Sequence, residues 1–80
     1  MQLEIITPDK KVFDGEVELV RFPGSAGSFA VLKNHAPIIS TLDAGEIKII
    51  TTDGDETFLQ IGGGVVEVKK NNIIVLVESV

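Results

Sequence analysis

Cysteine is absent from this chain of 80 residues, which excludes disulfide scaffolds, thiolate metal sites and thiol nucleophiles. Tryptophan and tyrosine are absent too, and 4 phenylalanines give little surface for stacking nucleic-acid bases. The net charge of −5 has the wrong sign for a protein that binds a phosphate backbone. No run approaches the roughly 20 apolar residues that span a bilayer. We therefore expect a small cytosolic protein that binds no nucleic acid and inserts into no membrane.

Alternation of apolar and polar residues runs through the chain between short clusters of turn residues, whereas helical spacing is never sustained. An apolar content of 44% suits one hydrophobic core, so we expect residues 1–80 to form a single domain. The pattern predicts an all-β fold, a small antiparallel β-sandwich or jelly roll of about nine to ten short strands. The predicted strand segments are 3–7, 11–14, 16–22, 28–32, 37–42, 46–52, 56–61, 65–69 and 73–78.

Several local features of these predicted strands are specific. Gly15 is expected to end the second strand. In the third strand the apolar residues change face after Leu19, which predicts a bulge or burial on both faces. Asp53-Gly54 predicts a hairpin turn of two residues, because both tolerate positive φ. The last strand is apolar on both faces from Ile73 to Val77, which predicts a central position in its sheet.

His35, the only histidine, is the first candidate for a general base or a metal ligand. A lone histidine needs a nucleophile or further ligands, and none is signalled beside it, so a loop histidine or an interface contact is favoured. Asp53, Asp55 and Glu56 lack the spacing of a calcium loop. The glycines at 62–64 are followed by no phosphate-binding Gly-Lys-Ser/Thr sequence, which favours a bulge or a close strand crossing. We expect no catalytic residue, no metal and no cofactor.

The lysine pair Lys10-Lys11 leaves one alternative function open. Swinging-arm carrier domains of the biotinyl or lipoyl type are also acidic β-sandwiches of about this size, and they present a modified lysine at a hairpin tip. Here Pro8-Asp9 precedes the pair and Val12-Phe13 follows it, unlike the flanking residues of those carriers. A solvated lysine pair at a turn explains the same residues without a modification.

Blocks of residues in a fixed order along the whole chain carry a resemblance to a known family. They are Thr7-Pro8, Phe13-Asp14-Gly15, the loop ending in Gly27 with His35-Ala36-Pro37, the run from Leu42 through Gly45 to Ile49, and the run from Gly62 to Val68, before the closing strand from Asn72. In this order they resemble the N-terminal β-sandwich of the epsilon subunit of F-type ATP synthase, called delta in mitochondria. Several blocks at the right spacing make the resemblance more specific than any one motif.

The resemblance implies a non-catalytic rotor subunit that links the gamma subunit to the ring of c subunits and supports coupling of proton translocation to ATP synthesis. Such a subunit lies on the cytoplasmic side of the bacterial plasma membrane, held there through the complex, and acts on no small-molecule substrate. The residues implied to contact the c-ring are Ala26, Gly27, Ser28, Phe29 and Ala30. The residues implied to contact gamma are His35, Ala36, Pro37 and Ile38.

The sequence departs from the family pattern at three points. Ser28 stands where the family usually has glutamate, which removes a charge from the implied ring contact. Lys33-Asn34 replaces Pro-Gly, and we expect Asn34 to adopt the left-handed conformation that glycine would supply. Many members continue into two C-terminal helices that inhibit ATP hydrolysis, and we expect this chain to lack that helical hairpin and its regulation.

Overall fold

The computed structural model describes residues 1–78, which form eight strands and no helix. The strands are β1 (Gln2–Ile6), β2 (Lys11–Phe22), β3 (Phe29–Leu32), β4 (Ile38–Leu42), β5 (Gly45–Thr51), β6 (Glu56–Ile61), β7 (Gly64–Lys69) and β8 (Asn72–Val77). Within these residues no helix is long and apolar enough to cross a membrane. The all-β class is confirmed, with slightly fewer strands than the sequence predicts.

The strands join into one hydrogen-bonded sheet that curls at β2. The order along it is β4-β7-β8-β1-β2-β5-β6, and β3 also pairs with β2. The first part of β2 pairs with β1, whereas its second part pairs with β3 and β5. We call the half that contains β4, β7, β8, β1 and the start of β2 sheet A, and the half that contains the end of β2, β3, β5 and β6 sheet B. The two halves enclose the core, as in a β-sandwich.

Every strand contributes to that core. Successive side chains point to opposite faces of a strand, so the residues that alternate in the sequence alternate between the core and the outside. In β8, for example, Ile73 and Val75 are buried, whereas Ile74 between them is exposed. The buried apolar side chains are Leu3, Ile5, Val17, Val20, Phe22, Val31, Leu42, Ile47, Ile49, Ile61, Val66, Val68, Ile73, Val75 and Val77.

Strand β2 corrects one predicted boundary. The strand end predicted at Gly15 is wrong, because Gly15 pairs with Leu3 of β1 and the strand continues to Phe22. A glycine weakens a strand but keeps its backbone hydrogen-bonding groups, so pairing can continue through it. Two predicted strands are therefore one, and this accounts for the lower strand count.

The irregularity predicted in the same strand is confirmed. The register between β2 and β5 shifts between Val17 and Leu19. Val17 and Val20 are both buried although they are three residues apart, which a regular strand does not allow. The shift lets β2 present an inward face to both sheets.

One pairing differs from the purely antiparallel arrangement that the sequence predicts. Strands β1 and β8 run parallel, with Leu3 beside Ile73 and Ile5 beside Val75. Buried and outward-facing residues alternate along both strands. The parallel register pairs buried residues with buried residues, so they lie on the same face of the sheet. The prediction that β8 is central is confirmed, since it lies between β7 and β1.

The hairpin predicted around Asp53-Gly54 is present, but its loop is longer than two residues. Strand β5 ends at Thr51 and β6 begins at Glu56. The backbone N–H of Thr51 donates to the carbonyl oxygen of Asp55 (2.9 Å), and of the two predicted turn residues only Gly54 has a positive φ, +90°. The Thr51 hydroxyl oxygen also accepts the Asp55 N–H (3.2 Å), which stabilises the wider turn.

The glycines at 62–64 bring β7 against β8, as predicted. A methyl group at Gly64 would collide with the carbonyl oxygen of Leu76 and lie 3.0 Å from the α-carbon of Val77. Gly63 has a φ of +114°, and its carbonyl oxygen accepts the backbone N–H of Glu78 (3.1 Å). Close backbone approach therefore explains Gly64, and the positive φ explains Gly63.

Candidate functional site

The first candidate segment, residues 26–30, begins in the loop between β2 and β3. The backbone N–H of Gly27 donates to the carbonyl oxygen of Gly24 (2.9 Å), which closes a tight turn. Position 24 favours glycine, since a methyl group there would lie 2.6 Å from the Gly27 carbonyl oxygen and 2.8 Å from the Phe29 ring. Gly27 has a φ of +126°, a conformation that side chains other than glycine rarely adopt. These two glycines set the shape of the loop.

The base of the β2–β3 loop is tied to the end of β4. The backbone N–H of Ser25 donates to the carbonyl oxygen of Thr41 (3.0 Å), and the Ser25 hydroxyl donates to Asp43 Oδ1 (3.0 Å). The backbone N–H of Asp43 donates in turn to the carbonyl oxygen of Pro23 (2.8 Å). The loop therefore projects from the sandwich on an anchored base.

The residues of this first segment differ in exposure. Residues 26–28 are exposed, whereas Phe29 and Ala30 are half-buried at the start of β3. The Phe29 ring lies 5.5 Å from the ring of Phe22, which is fully buried in the core, and the two planes are tilted by 38°. Phe29 therefore packs partly inward, and the accessible part of the segment is its first three residues.

The second candidate segment, residues 35–38, follows the turn between β3 and β4. The predicted left-handed conformation of Asn34 is confirmed by its φ of 67°. The backbone N–H of His35 donates to the carbonyl oxygen of Leu32 (3.1 Å), and the His35 Nδ1–H donates to the carbonyl oxygen of Ala36 (2.7 Å). This is a loop histidine bonded to nearby backbone. Ala36 and Pro37 are exposed, and His35 and Ile38 are half-buried.

The β3–β4 loop is also held from the side, by the turn between β7 and β8. The backbone N–H of Asn34 donates to Asn71 Oδ1 (2.8 Å), and Asn71 Nδ2 donates to Asn34 Oδ1 (3.3 Å). The sequence analysis missed this pair, because residues 37 positions apart show no local signal of contact.

The structure does not bring the two candidate segments together. The exposed residues 26–28 of the first segment precede β3 and residues 35–38 follow it, so these two parts lie at opposite ends of this edge strand. Four residues of strand at about 3.3 Å each separate them by roughly 13 Å. The two segments therefore form two separate surfaces on one side of the domain.

A third surface, which the sequence analysis did not assign, lies on the outer face of sheet A. Val65, Leu76 and Ile6 are neighbours across β7, β8 and β1. Ile74 lies two residues from Leu76 on the same face, and Ile39 of β4 lies diagonally from Val65. We call these residues the outer apolar patch: Ile6, Ile39, Val65, Ile74 and Leu76. The apolar run 73–77 could have predicted this patch, because a strand that is apolar on both faces has a second apolar face besides the one in the core.

The outer apolar patch continues into the second candidate segment. Pro37 and Ile39 border a groove of about 320 Å³ between β4 and β7, whereas Ile38 between them packs against the core. Ile39 is 72% exposed and Leu76 is 51% exposed, so the patch presents large aliphatic side chains to solvent. The second candidate segment thus adjoins the patch at Pro37.

Among the remaining charged candidates, Lys11 forms two ion pairs and Glu56 forms one with Lys48. Lys11 Nζ lies 3.0 Å from Glu4 Oε2 and 3.2 Å from Asp14 Oδ2. Hydrogen bonds to Glu4 and then to Asp14 raise the pKa of Lys11 above its ordinary value. Among residues 1–78, no cluster of three or more His, Cys, Asp or Glu side chains could hold a metal ion.

The family of the chain follows from its sequence as a whole. Residues 1–80 match the family described as ATP synthase, Delta/Epsilon chain, beta-sandwich domain. The chain belongs to this family. Its strands and curled sheet agree with the description, since sheets A and B form a sandwich around one core.

Individual relatives agree with the family assignment. The chain is 44% identical over 78 residues to the ATP synthase epsilon chain of Chlorobaculum tepidum, covering 98% of this chain and 89% of the relative. It is 42% identical over 79 residues to that of Chlorobium limicola, covering 99% and 90%. The chain is 36% identical over 78 residues to the ATP synthase epsilon chain of Dichelobacter nodosus, covering 98% of this chain and 54% of the relative. The chain thus spans most of two relatives and about half of the third.

Solved structures share the fold of this delta/epsilon-family chain. A chain of the mitochondrial ATP synthase of Euglena gracilis, solved with OSCP, F1 and c-ring, aligns with a TM-score of 0.89 and 21% identity over 98% of this chain and 51% of that chain. A chain of the central stalk and c-ring of the Tetrahymena thermophila enzyme aligns with a TM-score of 0.83 and 22% identity, over 99% and 63%. At these identities the likeness concerns the fold.

The family assignment decides between the two functions left open by the sequence. The carrier-domain alternative is not supported, since the whole chain belongs to the delta/epsilon family. Lys11 is also engaged by two carboxylates, and the backbone N–H of Lys10 donates to the Thr7 hydroxyl oxygen (3.1 Å) within a compact turn. This lysine pair is explained by local structure.

Proposed function

We propose that this chain is a non-catalytic rotor subunit of an F-type ATP synthase, which joins the gamma subunit to the ring of c subunits and so couples proton translocation to ATP synthesis. One observation carries the proposal: residues 1–80 belong as a whole to the delta/epsilon sandwich family. The chain acts as a peripheral component on the cytoplasmic side of the membrane, through its partners, and needs no cofactor.

The separation of the two candidate segments supports a role between two partners. The exposed residues 26–28 project at one end of β3, and residues 35–38 lie at the other end. Both are anchored by hydrogen bonds to other strands or turns, so each can transmit force to the sandwich rather than bend away. A rigid body with contacts at two ends suits the transmission of torque.

We assign the gamma contact to residues 35–38 together with the outer apolar patch. Patches of large exposed aliphatic side chains usually mark interaction surfaces. Burying an aliphatic side chain such as Ile39 in an interface gives about 1.5–3 kcal/mol, and several such residues lie side by side here. Glu67 lies between Ile39 and Ile74 in this face, so the partner surface is expected to offer it a hydrogen-bond donor.

We assign the ring contact to residues 26–30, with residues 26–28 as the part that touches the ring. Ser28 is exposed and uncharged where relatives of the family usually carry glutamate, so this contact rests on hydrogen bonds and shape rather than on an ion pair. The glycines of the loop keep side chains small and let a partner approach the backbone closely.

The direct test is reconstitution. The 80-residue chain is added to F-type enzyme depleted of its epsilon subunit and incorporated into vesicles, and ATP-driven proton pumping and ATP hydrolysis are measured together. We expect pumping to be restored. Hydrolysis that continues without any recovery of pumping would contradict the proposed coupling role.

The gamma surface is tested by a matched pair of exposed apolar residues. Ile39 is 72% exposed on sheet A, and Phe58 is 53% exposed on the outer face of sheet B. We expect Ile39→Glu to weaken binding to gamma at least about tenfold, since an aliphatic contact is lost and a charge would have to be buried. Phe58→Glu should leave the affinity unchanged, and equal effects of both variants would argue against the assigned surface.

The ring surface is tested with a second pair. Ser28→Lys adds a long charged side chain at the loop tip, whereas Thr52→Lys adds the same side chain in the β5–β6 loop, at the opposite end of sheet B. We expect only Ser28→Lys to lower binding of the gamma-bound chain to purified c-ring. No change in c-ring binding would remove residues 26–28 from the interface.

A further inference from the structure

Two asparagines in tight turns hold left-handed backbone conformations. Asn34 has a φ of 67° in the β3–β4 loop, and Asn71 has a φ of 61° in the β7–β8 turn. Glycine adopts this conformation with no penalty, and asparagine tolerates it better than most residues. The backbone alone therefore does not explain why both positions carry a side chain.

Reciprocal hydrogen bonds join the two side chains, which accounts for asparagine at both positions. The Asn34 backbone N–H donates to Asn71 Oδ1 (2.8 Å), and Asn71 Nδ2 donates to Asn34 Oδ1 (3.3 Å). A glycine at either position would keep the turn and lose at least one of these bonds. We call this pair the asparagine clasp.

The two ends of the clasp differ in how firmly they are held. On the Asn71 side, the carbonyl oxygen of Asn71 accepts the backbone N–H of Gln2 (3.0 Å), and its turn connects two paired strands of sheet A. On the Asn34 side, residues 33–37 form a loop. Among residues 1–78 this loop makes one backbone hydrogen bond, from His35 to Leu32, and Pro37 has no N–H to donate. The clasp therefore fixes the loosely held loop to the firmly held sheet.

The clasp also crosses between the two sheets. Asn34 follows β3 of sheet B, whereas Asn71 lies between β7 and β8 of sheet A. The loop that carries residues 35–38 would otherwise be oriented only by its ends, at Leu32 and Ile38. A fixed orientation matters because a preorganised surface loses less conformational entropy on binding.

We propose that the Asn34–Asn71 clasp is a positioning element that holds residues 35–38 in the conformation that binds gamma. This inference rests on the proposed function, and specifically on the assignment of residues 35–38 to gamma. The two asparagines act through the loop rather than by touching the partner.

The experiment uses Asn71→Gly, which keeps the left-handed turn and removes both hydrogen bonds of the clasp. The matched control is Lys70→Gly in the same turn, because Lys70 also has a positive φ, 52°, and takes no part in the clasp. Asn71→Asp keeps the oxygen that accepts the Asn34 N–H and loses the second bond. Amide hydrogen exchange of residues 34 and 35 is measured by NMR, and the affinity for purified gamma is measured for each variant.

We expect Asn71→Gly to raise the exchange rate of the Asn34 amide at least about tenfold and to weaken gamma binding roughly fivefold to tenfold, as the loss of two neutral hydrogen bonds implies. Asn71→Asp should fall between Asn71→Gly and the wild-type chain, and Lys70→Gly should match the wild-type chain in both measurements. This pattern supports the positioning role.

Other outcomes overturn the inference in distinguishable ways. Unchanged exchange at Asn34 in Asn71→Gly would show that the clasp does not hold the loop. Faster exchange with unchanged gamma affinity, while Ile39→Glu still weakens binding, would overturn the positioning role and leave the proposed function in place. Failure of the wild-type chain to bind gamma would overturn the proposed function itself.

Discussion

Substituting Gly24 by alanine tests how the structure shapes the loop assigned to the c-ring. A methyl group at this position would lie 2.6 Å from the Gly27 carbonyl oxygen and 2.8 and 2.9 Å from two atoms of the Phe29 ring. The ring cannot retreat inward, because it already packs against Phe22, which has no exposed surface. The turn from Gly24 to Gly27 must therefore open by several tenths of an ångström.

The expected effect on stability follows from two opposing contributions. Overpacking of this kind destabilises by about 1–3 kcal/mol. The lower entropy of an unfolded chain with alanine in place of glycine offsets about 0.4–1 kcal/mol. A net loss of about 1–2 kcal/mol lowers the Tm of a domain of this size by roughly 5–15 °C. Circular dichroism during heating and urea unfolding measure this loss directly.

The matched control is Gly15→Ala in β2, the strand that leads into this loop. A methyl group at Gly15 would lie 3.6 Å from the nearest atom of the Phe13 ring, which is an ordinary contact. We expect Gly15→Ala to unfold at the wild-type temperature or slightly above it, and NMR chemical shifts of residues 24–30 to change only in Gly24→Ala. Equal Tm values for the two variants would refute the claim that steric conflict sets the shape of the loop.

Two further predictions concern the core and a surface ion-pair group. Phe22 is fully buried, so Phe22→Ala should lower the free energy of unfolding by about 3–5 kcal/mol. Phe58 is half exposed, so Phe58→Ala should change the free energy of unfolding far less. Urea titration compares the two variants, and similar losses would contradict the burial pattern. Glu4 and Asp14 raise the pKa of Lys11, so the stability contributed by these pairs is present at pH values below its ordinary 10.5 and is lost as the pH rises through the raised value. The difference in unfolding free energy between the wild-type chain and Lys11→Met should shrink as the pH rises above 10.5, and a constant difference would exclude this cause.

Alternation along the chain was sufficient to predict the strands, because one face of nearly every strand is buried and the side chains follow a period of two. It failed at Gly15, where the missing side chain resembles a strand end although the backbone continues to pair with Leu3. The predicted length of the turn at Asp53-Gly54 was wrong for a different reason. The Thr51 hydroxyl oxygen, which accepts the Asp55 N–H, stabilises a wider turn than the residue types at 53 and 54 indicate.

Contacts between distant parts of the chain were beyond sequence reasoning. The parallel pairing of β1 with β8 depends on how the sheet curls at β2, and the strands themselves alternate identically for either direction. The left-handed conformation of Asn34 was predictable from its residue type, and φ confirms it. Its partner Asn71 was not predictable, because the sequence around either asparagine carries no signal of a contact with the other. The contact roles of residues 26–30 and 35–38 remain predictions.

The two faces of β8 show what sequence and structure each contribute to the proposed interface. The run from Ile73 to Val77 indicates a strand that is covered on both sides, and the structure places it at the centre of sheet A. One face is covered, since Ile73, Val75 and Val77 are buried in the core. Ile74 and Leu76 on the other face are 39% and 51% exposed within the described chain. The sequence thus indicates a strand with two apolar faces, and the structure shows which of them the core leaves open. We expect a partner that packs over the outer apolar patch to cover that face.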